Sequence, residues 1–93
     1  MTARFLHVTF NFKGRSSPTE SIESTLDKAL DWIRYAPNCY ILYTTTDLPT
    51  WYSRLRKALR EDDNIFVVEL NIENRQGWLP KSVWEWIRKE RSN

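Results

Sequence analysis

An α+β fold, one antiparallel sheet carrying helices, is what this sequence predicts, and three observations predict it. Leu6 to Phe12 alternates apolar and polar residues with the period of a strand, and Ile65 to Ile72 is a strand-like run apolar on one face throughout and partly on the other. Prolines stand at the head of helix-period segments, at Pro18, Pro49 and Pro80. Near the C-terminus come Trp78, Trp84 and Trp86, each able to bury on the order of 200 Å² in a small core. The 93 residues form one domain over positions 1–93. A chain of this size buries roughly two thirds of its unfolded surface and needs neither disulfide nor structural metal.

The first strand places Leu6, Val8, Phe10 and Phe12 on one face and His7, Thr9 and Asn11 on the other. Ser17-Pro18-Thr19-Glu20 then supplies an N-cap serine, proline at the first helical position and glutamate three residues after the cap. The helix behind it runs its apolar stripe through Ile22, Leu26, Ala29, Leu30 and Ile33, leaving Glu20, Glu23, Asp27 and Lys28 to solvent. Asp31 to Tyr35 fits either the last turn of this helix or a short strand. We take the strand, because Pro37-Asn38 has the chemistry of a β-turn into the next strand, Cys39 to Thr44.

Asp47, or Thr46 before it, caps a second helix with Pro49 in its first turn, a stripe of Leu48, Tyr52, Leu55 and Leu59, and an end near Arg60. Glu61 to Asn64 turn the chain into Ile65 to Ile72, a central or dimer-forming strand. Beyond Asn74 to Gly77, Pro80 opens a last helix with Leu79, Val83, Trp86 and Ile87 on one stripe. The order is βαββαβ with an additional C-terminal helix, the ferredoxin-like plan: an antiparallel sheet with helices on one face. Its other face needs a partner, the last helix or polar side chains to cover it. Apolar area there is expected around Tyr40, Leu42, Ile65 and Val67, which makes a two-fold homodimer through the sheet the expected assembly.

Composition narrows the function. With 14 basic and 12 acidic residues the net charge is only +2, so any electrostatic site must be local. No apolar stretch approaches the roughly eighteen residues of a bilayer span, and no apolar leader with a cleavage site opens the chain. The lone Cys39 lies in an apolar run and reads as a reduced, buried thiol. These features point to a cytoplasmic protein without a membrane partner. No cofactor or metal is expected, since Lys13-Gly14-Arg15 is not a glycine-rich phosphate cradle and neither a G-x-S-x-G elbow nor metal-ligand spacing occurs.

Two constellations remain as candidate sites. Arg54, Arg56, Lys57 and Arg60 on the second helix, with Trp51 and Tyr52 nearby and Lys13 and Arg15 in the first loop, could grip phosphates while an aromatic ring stacks on a base. The same residues suit a solvated helix end whose charge answers the helix dipole, with the aromatics in the core. The polar row His7, Thr9 and Asn11 offers a metal or acid–base role, or simply hydrogen bonds at a surface. Asp62 and Asp63 read as turn residues that bond backbone amides. Glu85 and Glu90, with Lys81, Arg88, Lys89 and Arg91, read as a solvated helix surface with local ion pairs.

Trp32-Ile33-Arg34-Tyr35 before the turn, the Thr44 to Leu48 junction, Asp63 to Leu70, and Gly77-Trp78-Leu79-Pro80 with Trp84-Glu85-Trp86-Ile87 follow one another in this order and spacing. In these the chain resembles the SinR-like proteins, small relatives of the CRISPR-associated spacer-acquisition subunit and of the VapD toxins. The resemblance implies a ferredoxin-like subunit that forms a homodimer, in a group whose members include metal-dependent nucleases, nucleic-acid binders and structural subunits. Nuclease members carry a metal-holding aspartate at the end of the first strand. Asn11 stands at the nearest matching position, and an amide brings neither negative charge nor a base. The expectation is therefore a homodimer that binds nucleic acid or a protein partner without turnover; the alternative is a divalent-metal-dependent nuclease weakened by Asn11. Trp78 and Trp84, off the main stripe, are placed to reach a dimer partner or a base.

Overall fold

A computed structural model of the protein describes residues 2–91. It runs β1 (Arg4–Asn11), α1 (Thr19–Leu26), β2 (Asp31–Ala36), β3 (Cys39–Thr44), α2 (Leu48–Arg56), β4 (Asn64–Leu70) and α3 (Lys81–Arg88). The strands form one sheet in the order β2-β3-β1-β4, each antiparallel to its neighbours. Thus β3 lies between the two strands that α1 connects, and β1 lies between the two that α2 connects. These interleaved split βαβ units are the ferredoxin-like plan, with α3 added at the end.

Register decides which side chains share a face. Leu6 pairs with Leu42, and Val8 sits between Tyr40 and Val67, so these apolar residues gather on one side. There they meet Ile22 and Leu26 of α1 and Trp51 and Leu55 of α2. The polar groups this burial carries inward are paired. Trp51 Nε1 donates to Thr44 Oγ1 at 3.0 Å, and the Tyr40 hydroxyl donates to Glu23 at 3.2 Å. Burial, and then the Glu23 charge, push the Tyr40 pKa up to about 12 and keep it a donor.

The opposite face carries Phe5, Ile33, Tyr35, Ile41 and Leu70 and is partly covered by α3 through Val83 and Ile87. Arg91, past the end of α3, lies over the rings of Trp86, Tyr43 and Phe5 at 4.4, 5.0 and 5.4 Å. It also donates to the Trp86 carbonyl at 2.7 Å, and Lys89 and Arg91 reach Asp31 at 3.1 and 3.5 Å. Lys89 stays exposed with its ion pair, whereas Arg91 packs in and ties the end of α3 to the sheet rather than lying on a solvated surface.

Several expectations are corrected. Tyr40, Leu42, Ile65 and Val67 belong to the face under α1 and α2, not to the opposite one. Alternation shows which residues share a face, but not which face the helices take. β4 is an edge strand rather than a central one. α1 ends at Leu26, so Ala29 and Leu30 lie in a turn, while the strand expected over Asp31 to Tyr35 does form, as part of β2. Its capping box does not form: Pro18 takes the N-cap position, and Ser17 Oγ instead accepts from Thr19 Oγ1 at 3.0 Å. α2 stops at Arg56 and buries Trp51 and Leu55, whereas Tyr52 is 45% exposed. The turn chemistry holds: Asp47 caps α2 by accepting from the Thr50 amide at 2.9 Å. Asn38 takes φ 62° in the hairpin, a region asparagine tolerates. Among the described residues, no helix is long and apolar enough to cross a membrane.

Candidate functional site

α1 and α2 lie side by side on the sheet, and between them runs a groove of about 370 Å³ lined by Ser21, Ser24, Thr25, Lys28, Arg54 and Lys57. The hydroxyl residues fall at i, i+3 and i+4, one face of α1. Ser24 and Thr25 each donate to the Ser21 carbonyl at 3.0 Å, so the three cations are the groove's main donors toward a ligand. None of the ion pairs among the described residues includes Lys28, Arg54 or Lys57. The Arg54 guanidinium rests on the Trp51 ring at 5.0 Å, which holds the charge at the surface above a fully buried indole.

The structure divides the predicted basic set. Arg54 and Lys57 face the groove. Arg15 instead pairs with Asp63 and lies over the Phe12 ring at 5.3 Å, and Arg56 Nη1 donates to the Leu59 carbonyl at 3.3 Å. The Arg60 and Lys13 amides also donate to Asp63, at 2.8 and 3.4 Å. The Arg15 hydrogen bond foremost, then the Arg60 amide, hold the Asp63 carboxyl down to about 2. Lys13 and Arg60 keep exposed side chains beside this joint. Trp51 is buried and unavailable for stacking, which leaves Tyr52 as the exposed aromatic of α2. Lys28, expected only on the solvent face of the first helix, joins the groove. The Ser21, Ser24, Thr25 stripe was its only signal, and the stripe does not say which helix it faces.

The polar row of β1 is partnered sideways. His7 Nε2 meets the Tyr35 hydroxyl, Thr9 Oγ1 lies 3.7 Å from Cys39 Sγ, and Asn11 Nδ2 donates to Asn64 Oδ1 at 3.3 Å. Burial lowers the His7 pKa, and burial, then Cys39, raises that of Tyr35. Both shifts favour a neutral imidazole that accepts from the Tyr35 O–H. Among the described residues, no group of three or more His, Cys, Asp or Glu stands close enough to hold a metal ion.

His7 and Tyr35 also border a second cavity, about 300 Å³, between the α3 side of the sheet and the segment leading into α3. Ile41, Leu70, Ile72 and Trp84 make it predominantly apolar. The sequence reading did not anticipate it, because it exists only where the segment after β4 folds back across the sheet. Compared with known proteins, the chain matches no family model, no curated protein and no solved structure.

Proposed function

We propose that the protein binds nucleic acid through the groove between α1 and α2, as a homodimer and without catalysing a reaction. One observation carries this: Lys28, Arg54 and Lys57 line a common concave surface, and among the described residues none of them forms an ion pair. Like charges gathered in a groove raise the local positive potential and favour a polyanion. Because the donors are charged side chains, the contact is with phosphates and is largely independent of base sequence. The homodimer rests on the apolar surface left on the other side of the sheet, where Phe66 is 62% and Val68 36% exposed. Kinship with the SinR-like proteins belongs to the same proposal.

The test is the salt dependence of binding to DNA and RNA oligonucleotides. Three phosphate contacts give a slope of log affinity against log salt of roughly −2 to −3. Changing Lys28, Arg54 and Lys57 to Gln should reduce the slope by about one per cation. Binding indifferent to salt and to all three changes would refute the groove. Bound strands should remain intact with added magnesium or manganese, and chelator-sensitive cleavage by pure protein would refute the non-catalytic part.

A further inference from the structure

We infer that Trp78 is the anchor of self-association and that its receptor is the cavity beneath α3 of a second copy. The inference rests on the homodimer proposed above and names its contact. Trp78 is 98% exposed, an extreme for the largest apolar side chain. Its neighbours Gly77 and Leu79 both line the 300 Å³ cavity, so Trp78 stands on the rim of that cavity with its indole turned outward.

The cavity suits an indole. Ile41, Leu70 and Ile72 offer apolar wall and Trp84 an aromatic surface, while the Tyr35 hydroxyl oxygen and the Gln76 amide can accept from an indole N–H. Anchor and receptor lie side by side on one molecule. A two-fold axis near the rim therefore satisfies both at once, each Trp78 entering the other copy's cavity. The apolar surface continues beyond the cavity: His7, on its border, pairs in register with Val68, and exposed Phe66 follows on the same face of β4. Two insertions, counting indole and receiving wall, bury on the order of 800 Å². Phe66 and Val68 carry the contact toward the roughly 1,200 Å² at which specific interfaces begin.

Stacking on a base is disfavoured by position. The cationic groove lies on the helix side of the sheet and Trp78 belongs to the α3 side, so one strand held by phosphates in the groove does not meet this indole.

Sedimentation equilibrium over a wide concentration range tests the contact. The wild-type chain should dimerise, and Trp78→Ala should weaken dimerisation at least ~30-fold, as loss of a buried tryptophan anchor does. At 98% exposure the substitution spares the fold. Ile72→Trp, beyond the end of β4, fills the receptor and should weaken self-association similarly. A mixture of the two variants should form a heterodimer, since one intact anchor meets one intact cavity. A wild-type chain that stays monomeric overturns both the dimer and the anchor. A dimer unchanged by Trp78→Ala overturns the anchor alone. Unchanged dimerisation with weakened oligonucleotide binding would assign Trp78 to base stacking instead.

Discussion

Asp63 holds together segments that lie far apart in the chain. It takes hydrogen bonds from the Arg15 side chain and the Arg60 and Lys13 amides, joining the first loop to the link between α2 and β4. Its pKa falls from 3.8 to about 2 on folding, so folding favours the ionised form. The stability it contributes is complete above about pH 4 and lost as pH falls toward 2. Asp63→Asn should lower the thermal midpoint at neutral pH and flatten the acid limb of the midpoint-against-pH curve in that window. An unchanged limb would place acid sensitivity in other carboxylates. A turn aspartate bonded to backbone was readable from the sequence. Its partner Arg15, 48 residues away, was not, because pairing over that separation depends on how β1 and β4 align.

β1, β3, β4 and the start of α2 were legible from local pattern and punctuation: strand-like apolar runs, Pro37-Asn38, and Asp47 with Pro49; the stripe of α2 was not, because Trp51 rather than Tyr52 turns inward. α1 was read too long, since Ala29, Leu30 and Ile33 continue a helical spacing that strand pairing of Asp31–Ala36 with β3 overrides. For α3 the stripe was visible but its tether was not. Arg91, seated against Phe5, Tyr43 and Trp86, holds the helix end on the sheet. Arg91→Ala should cost about 1–2 kcal/mol. Amide exchange should quicken in α3 while β1 and β3 keep their protection. Equal loss of protection throughout would show α3 and the sheet to be one cooperative unit.

The sheet separates two surfaces, a cationic groove on the α1–α2 side and an apolar cavity with Trp78 on the α3 side. A dimer joined through the second presents two copies of the first. On a strand long enough to span both grooves, the wild-type chain should bind about 10²-fold or more tighter than Trp78→Ala. On an oligonucleotide that fills one groove the two should bind alike. Equal affinities on long strands would mean that the grooves of a dimer cannot engage one strand together. Neutralising Lys28, Arg54 and Lys57 should leave the dimerisation constant unchanged, because distant sites with no shared partner act independently.

Local pattern was enough to reveal the α+β class, the βαββαβ order with its extra helix, the hairpin at Pro37-Asn38 and the cap at Asp47. Each rests on residues within a few positions of one another. Which sheet face α1 and α2 cover, which arginines are engaged at home, and the existence of the α1–α2 groove and the cavity beneath α3 emerged from long-range contacts. A strand's period of two is the same seen from either side, and a basic residue's sequence position does not reveal whether an Asp63 or an open groove lies opposite.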